Sequence, residues 1–475
     1  MGAGPQKVAL IRPLHTGEEF EFQEPLAIEY LAGALRQAGA GHEVALFDRR
    51  LYERRGQLPA FRDDFTAQEP FDTVGFSLMT AEDLPDTLRL IQRMKLAEPA
   101  PRFVLGGLFI TLAGERLHEL VPSEVTLIPG EGEAPLTGSP AWAPAWRPQL
   151  ADYLAQGCAI NLRGARGCSG TCAFCATPAL PQGLSSWAGR AIPELADEIA
   201  ALTAEVATLG ADPVFNFVED DFGPLARVEE LDAELRVRGL RVAYSMQLRG
   251  AALLAEPDVA ARMARLHEGG LCRLFIGVES MTPATLRAWH KPLDPVALLA
   301  LLRQIEQAGV RVHIGYILWH KDSTPQSVRH EAAALHEQGF FSLKCLFNRM
   351  VLFPGSALAA TAAAESGRTQ SGGAGVSRTT WQALSPACEA LYEKLTSWLR
   401  PLYLVWVRAA TDLPLAASRA WLSGDGHQAS CLDEALSTCD RVAYAAVADG
   451  DFSTDVTTLA AKLMEDLDEV HCPRT

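Results

Sequence analysis

Short apolar runs alternate with helix-length amphipathic runs along most of this 475-residue chain. That alternation leaves few folds open, because a strand, a helix and a further strand build a parallel sheet whose helices cover its faces. The first series reads KVALIRPL (strand), IEYLAGALRQAG (helix ending in glycine), HEVALFD, TVGFSLMT, the helix DLPDTLRLIQRMKLAE, RFVLGGLF, the helix AGERLHELV and EVTLIPGEGE. A second series begins with CAINLRGARG and continues through PVFNFVEDD, RVAYSMQLR, RLFIGVES, RVHIGYILW and SLKCLFNRMVLF. Helices such as IPELADEIAALTAEVATLG and PVALLALLRQIEQAG separate these strands. The predicted class is α/β, with one domain over residues 1–140 and a second over 141–365, each built on a parallel sheet. Residues 366–475 are predicted as a linker (SGRTQSGGAGVSRTT, 366–380) and a helical C-terminal domain.

An apolar fraction of 48% suits sizeable cores. A net charge of −16 argues against a nucleic-acid scaffold, which needs basic patches to neutralise phosphates. No apolar run is long enough to span a bilayer, and the start MGAGPQKVALIRPL lacks an apolar leader core. The expectation is a cytoplasmic protein with no nucleic-acid or membrane partner. In that compartment ten cysteines mean metal ligands and buried thiols, with Cys272 and Cys345 expected in the core.

Three of the ten, Cys168, Cys172 and Cys175, stand in RGCSGTCAFCATP. Three thiolates so close together can hold one iron–sulfur cube by three corners, leaving the fourth iron open to a substrate or cofactor. A zinc site would want a fourth cysteine or histidine at hook spacing, and none follows. A disulfide framework does not suit an odd, crowded triplet. The C-x3-C-x2-C pattern, with Phe174 before the last cysteine, resembles the signature of the radical S-adenosylmethionine (SAM) superfamily. The resemblance implies a 4Fe–4S cluster on the three cysteines, SAM at the open iron and a partial (β/α)6 barrel.

Upstream, the spaced set EPLAIEYLAGALRQAG, VGFSLMT, VLGGLFIT and PGEGE resembles the Rossmann-like cobalamin-binding domain found in front of many such enzymes, which implies that fold for residues 1–140. In sheets of this kind ligands sit at the carboxyl ends of the strands. The candidate cofactor contacts there are Ser77, Thr80, Gly106, Gly107, Gly130 and Glu131, within the turns Ser77–Thr80 and Gly130–Glu133. The D-x-H-x-x-G motif that would supply a histidine to cobalt is missing, and His15 in PLHTGEE reads as a loop histidine. Cobalamin held here would lack histidine ligation. The stretch after Glu133 is short and rich in Pro and Trp, so the last helix of the sheet is expected to be missing.

In the second series the chemistry is expected at the strand ends. Glu219, Asp220 and Asp221 supply acceptors, and by resemblance stand where relatives bind the SAM amino group or the substrate. Ser245, Gln247 and Arg249 close the next strand, and the planar fork of Arg249 suits the SAM carboxylate. Gly277, Glu279 and Ser280 resemble the fourth-strand SAM contact, with Glu279 toward ribose hydroxyls. Trp319, His320, Lys321 and Asp322 stand where relatives carry G-x-I-x-G, and His320 is a candidate proton donor, a surface histidine being the alternative. Asn348, Arg349, Pro354 and Gly355 resemble the sixth-strand turn, in reach of adenine or substrate.

The resemblance implies an enzyme that cleaves SAM reductively to a 5′-deoxyadenosyl radical and functionalises an unactivated C–H bond of a small-molecule or natural-product substrate. Cobalamin-dependent C-methylation is the leading expectation. The alternative is cobalamin-independent dehydration, epimerisation or oxidation of a sugar-like substrate, with the first domain as scaffold. An iron–sulfur sensor that binds SAM without turnover is the non-enzymatic reading. Either enzyme needs an electron donor such as flavodoxin or ferredoxin.

Overall fold

A computed structural model describes residues 5–16, 22–38, 41–132, 142–181, 184–365 and 382–471. The predicted linker 366–380, Glu133, the region of the expected missing helix and Cys472 lie outside them, in whole or in part. The chain divides into two compact units. The first is Met1–Gln156, Cys175–Ser186 and Leu352–Thr380; the second is Gly157–Phe174, Trp187–Val351 and Trp381–Thr475.

The first unit holds five parallel strands: β1 (Lys7–Arg12), β2 (Glu43–Asp48), β3 (Thr73–Ser77), β4 (Arg102–Gly106) and β5 (Thr126–Leu127). Their order is β2-β1-β3-β4-β5, so the connections reverse direction between β1 and β3. Such a reversal opens a crevice at the carboxyl ends of the strands. Both faces of the sheet are covered. Val8, Leu10, Val44 and Leu46 pack with Ile28, Ala32 and Leu35 of the helix Leu26–Gln37. Ala9, Ile11, Phe47, Val74 and Leu105 pack on the other side with Leu90, Ile91 and the Phe61, Phe65, Phe71 group. Strands buried on both faces must be apolar throughout, which is why KVALI and TVGF read as continuous runs. The expected helix AGERLHELV is displaced: Leu108–Ala113 is α-helical and Gly114–Glu119 is a 3₁₀ turn.

The second unit contains β6 (Ile160–Leu162), the short antiparallel pair β7 (Ala165–Arg166) and β8 (Ala188–Gly189), and then β9 (Val214–Phe217), β10 (Ala243–Leu248), β11 (Leu271–Glu279) and β12 (Arg311–Tyr316). Its main sheet runs β12-β11-β10-β9-β6, all parallel, with each strand beside its predecessor. Helices Ile192–Thr208, Leu225–Val237, Val259–Glu268 and Pro295–Gln307 alternate with the strands, as the periodicity predicts. The sixth β/α repeat closes differently. SLKCLF forms a 3₁₀ turn at Leu343–Leu346, and one bridge between Trp319 and Arg349 replaces a ladder. Side chains take over the pairing there: Trp319 Nε1 donates to Leu346 O, and Asn348 Nδ2 to Tyr316 O.

Three helices, Pro386–Ser423, His427–Ala448 and Val456–His471, complete this unit. Cys272 and Cys345 are buried, as expected of core thiols. Among the described residues no helix is long and apolar enough to cross a membrane.

Candidate functional site

In the first unit the candidate residues cluster on the carboxyl rim of β3, β4 and β5. Ser77 is the ladder partner of Gly106, and Leu78 N–H donates to Gly106 O. Gly107 has φ 99, and a Cβ there would lie 2.4 Å from Leu78 O, so only glycine passes this turn. Thr111 Oγ1 donates to Gly107 O at 2.9 Å and accepts from Gly130 N at 2.8 Å, tying two of the turns together. Thr111 was not a sequence candidate. Ser77, Gly106, Gly130, Glu131 and Gly132 are half-buried, and Met79 and Thr80 are exposed.

Thr80 belongs to a network across the β1–β3 reversal. Asp83 Oδ2 accepts from the backbone N–H of Met79, and Asp83 Oδ1 accepts from Arg50. His15 Nδ1 lies 3.0 Å from the same Oδ1 and 3.5 Å from Thr80 Oγ1. His15 is thereby fastened to a carboxylate within its own unit, the behaviour expected of a loop histidine. A glycine-lined rim with an apolar Met79 beside it fits a large, flat cofactor: backbone can approach closely where no Cβ intervenes.

In the second unit a polar row crosses the sheet. Asn161, Asn216 and Ser245 are successive ladder partners on β6, β9 and β10. Ser245 Oγ donates to Asn216 Oδ1 at 2.8 Å, and Asn216 Nδ2 to Asn161 Oδ1 at 3.0 Å. The asparagines escaped the sequence reading, although a polar residue inside CAINL and FNF was the available signal. Gln247 is half-buried on the same strand as Ser245, and its carbonyl accepts from Phe222 N–H.

Around the cysteine loop, Arg249 Nη1 donates to Ser169 Oγ at 2.5 Å, and Ser169 Oγ donates to Asp221 Oδ2 at 3.1 Å. Asp221 Oδ1 accepts from Gly223 N–H, and Cys168 Sγ lies 3.9 Å from Oδ2. Thus Asp221 and Arg249, read from separate strands, meet at Ser169, one residue past the first cysteine. Asp221 is buried and Asp220 exposed. Glu219 is also buried: its Oε2 accepts from Gly164 N–H at 3.1 Å, while Oε1 has no hydrogen-bond partner. Burial pushes its carboxyl up to about 8, against the lowering pull of Gly164 N–H, Arg227 and Arg163.

Two of the loop thiols accept backbone hydrogen bonds. Cys168 Sγ accepts from Gly170 N–H at 3.3 Å, which favours its thiolate, and Cys175 Sγ accepts from Thr177 N–H at 3.4 Å. Burial nevertheless pushes the Cys168 thiol up to about 11 in the absence of a cation. Coordination reverses that balance, because a metal-bound thiol is deprotonated outright. Among the described residues no three His, Cys, Asp or Glu side chains converge where one metal ion could sit. A cubane asks for something else, one thiolate on each of three irons, and the donor set in the cysteine loop has that chemistry.

At the end of β11 the backbone is strained. Glu279 has φ 73, a conformation that costs a non-glycine residue of order 1–3 kcal/mol. The β11–β12 register also shifts between Gly277 and Glu279. Glu279 Oε1 accepts from Lys291 Nζ at 2.9 Å. Ser280 is fully buried, its hydroxyl donating to Glu331, which also accepts from Thr282 and Tyr316. Phe174 packs edge-on to Trp289 with centroids 5.7 Å apart, and Trp289 to His320 at 5.1 Å. His320 is 8% exposed and its Nδ1 has no hydrogen-bond partner. It is therefore not a surface histidine, and burial lowers its pKa, keeping the ring neutral. Trp289 and Lys291 were not sequence candidates. Lys321 and Asp322 are exposed. Asn348 is held by its bond to Tyr316 O, and Arg349 forks onto Glu389 at 2.8 and 3.0 Å.

Comparison with known proteins agrees with both halves of this description. Residues 21–138 match the B12 binding domain family, and residues 162–330 match the radical SAM superfamily. This chain is a radical SAM superfamily enzyme with an N-terminal B12-binding domain. No curated protein sequence matches it. Its fold is similar to that of the cobalamin-dependent SAM radical enzyme OxsB with aqua-cobalamin bound (TM-score 0.70, 14% identity, 98% of this chain and 84% of that one). It is also similar to the radical SAM methyltransferase TsrM from Kitasatospora setae with cobalamin and a [4Fe–4S] cluster bound (TM-score 0.58, 16% identity, 76% of this chain and 78% of that one).

Proposed function

We propose that the enzyme carries a 4Fe–4S cluster on Cys168, Cys172 and Cys175, binds SAM and cobalamin, and C-methylates an unactivated carbon of a small-molecule or natural-product substrate. The observation that carries this reading is the B12 binding domain match at 21–138 ahead of a radical SAM match that contains the cysteine triplet. The shared fold with TsrM, a methyltransferase, supports methylation over the other outcomes. When bound, a cluster on these cysteines would supply the electron for reductive cleavage of SAM, and cobalamin would supply methyl-transfer chemistry.

The chain's own residues bind and orient. Gly106, Gly107 and Gly130 leave the first rim open to a corrin, with Ser77, Thr80 and Glu131 as polar contacts at its edge. Asp221 and Arg249, joined through Ser169, face the amino and carboxylate groups of SAM with opposite charges, the match that an amino-acid chelate requires. Glu279 accepts from ribose hydroxyls, and Gly277 lets the nucleoside approach β11. Ser245, Gln247 and Asn348 present hydrogen-bonding groups toward the adenine or the substrate. Neutral His320, with its unpartnered Nδ1, accepts or relays a proton at that atom, and Trp289 and Phe174 exclude water beside it. Asp220, exposed beside Asp221, contacts the substrate. Glu219, neutral at pH 7, braces Gly164 from behind. The electron arrives from a small redox protein such as flavodoxin or ferredoxin.

The test is anaerobic purification with hydroxocobalamin supplied, followed by reaction with dithionite and SAM. Corrin absorption that co-purifies, together with S-adenosylhomocysteine and 5′-deoxyadenosine among the products, is expected. A protein that forms 5′-deoxyadenosine but retains no corrin excludes methylation and leaves a cobalamin-independent radical reaction.

A further inference from the structure

Trp289, His290 and Lys291 form a turn after the helix Pro283–Ala288, and three of its groups reach across the second unit. The Trp289 carbonyl accepts from Ala173 N–H at 2.8 Å. The Trp289 indole meets Phe174 edge to face. The Lys291 ammonium lies 2.9 Å from Glu279 Oε1 and 6.0 Å from the Phe174 ring centroid. One turn thus holds both the residue before Cys175 and the carboxylate at the end of β11.

Several costs are met to put the ion pair there. Glu279 and His290 both have positive φ, 73 and 54, one at each side of the pair. A Cβ on Gly277 would lie 2.2 Å from Glu279 Oε1 and 2.6 Å from Lys291 Nζ. The pair therefore lies flat against the Gly277 backbone, where a Cβ would displace it. With side chains only 12% and 18% exposed, Glu279 and Lys291 interact more strongly than a surface pair would. Backbone strain, a register shift and a glycine that leaves room for the pair all converge on one carboxylate at the end of β11.

We infer that Lys291 is a positioning residue: it fixes the Glu279 carboxylate for the SAM ribose and, through the Trp289 turn, couples that carboxylate to the cysteine loop. This rests on the reading of the cluster and SAM given above. Lysine suits the task because its long stem reaches Glu279 while its head meets the face of an aromatic ring. Lys291 contributes orientation, so its loss weakens SAM binding and leaves the cluster in place.

The test uses the full chain, reconstituted anaerobically, as Lys291→Met, Lys291→Arg and Gly277→Ala. Iron and sulfide content are measured, and the electron paramagnetic resonance (EPR) spectrum of the dithionite-reduced cluster is titrated with SAM. Lys291→Met is expected to hold wild-type iron and sulfide, with the SAM-dependent change in the spectrum displaced to about tenfold higher SAM. Gly277→Ala, which pushes the pair off β11, is expected to shift in the same direction. Lys291→Arg, which keeps the charge, is expected to recover most of the affinity. A Lys291→Met protein that titrates like wild type overturns the inference, and so does one that loses its iron, since that is what a merely structural role predicts. Wild-type protein with a cluster but no SAM-dependent change overturns the underlying reading instead.

Discussion

The first sheet ends in Ser77, Gly106 and the Gly130 turn, whereas the second ends in Asp221, Arg249 and Glu279. Both are five-stranded and parallel, and both present their chemistry at the carboxyl ends of the strands. They differ in what the strands have left to offer. Helices cover both faces of the first sheet, so its side chains are spent on two cores and only the rim backbone remains. The second sheet fills one face with apolar side chains, Cys272, Leu274, Ile276 and Val278 all nearly inaccessible, while Arg273, Phe275, Gly277 and Glu279 alternate with them. Its other face carries Asn161, Asn216 and Ser245. A sheet that is apolar on both faces offers a ligand glycines and peptide groups; one with a polar face offers side chains. Substitutions should therefore act on binding through backbone shape in the first unit and through charge in the second.

The largest effect expected is that of replacing Cys168, Cys172 and Cys175 together by serine. Iron and sulfide should vanish and SAM cleavage fall by at least ~10³-fold, measured as 5′-deoxyadenosine under dithionite, while corrin retention by the first unit persists. Loss of corrin as well would break the comparison. Arg249→Ala should come next, lowering kcat/KM for SAM by about 10²-fold through lost orientation with iron content unchanged. Gly107→Val tests the other sheet. It forces a branched side chain against Leu78 O at φ 99, so a loss of about 2–4 kcal/mol in stability is expected by chemical denaturation, with corrin absorption lost. Cluster content should survive in that protein if the second unit's chemistry is its own. In wild type, cob(II)alamin should show no nitrogen superhyperfine splitting from the protein in its EPR spectrum, because His15 is held by Asp83.

The smallest effect expected is a pH dependence from Glu219. Its carboxyl is raised from 4.5 to about 8 by burial, so the folded state holds a proton that the unfolded chain releases. Stability from this group is complete below pH 4.5 and declines as pH rises toward 8. Glu219→Gln should flatten that decline and unfold at higher denaturant than wild type at pH 9, with little change at pH 5. A steeper decline in the variant would contradict the assignment.

Much of this was legible in the sequence because local pattern and fold agree. Apolar runs buried on two faces announced the first sheet, and the cysteine spacing announced the loop. The sixth repeat was misleading: SLKCLFNRMVLF has strand composition, but Trp319 takes up its Leu346 carbonyl from the side, Asn348 reaches back to Tyr316 O, and a single bridge remains. Asp221 and Arg249 were nameable one by one, yet their junction at Ser169 depends on how β9 and β10 lie beside the loop. Lys291 and Trp289 carried no signal at all, since a lysine after a short helix reads as solvated surface. Only the fold shows that the turn doubles back onto Phe174 and Glu279. His320 was undecided between proton donor and surface group until its burial removed the second choice.

The most direct test of the account is a Mössbauer spectrum of the anaerobically reconstituted protein, with and without SAM. The expected result is the signature of a 4Fe–4S cube in which one iron alone changes when SAM is added. A spectrum with no cube, or a cube that persists after all three loop cysteines are replaced, would contradict it.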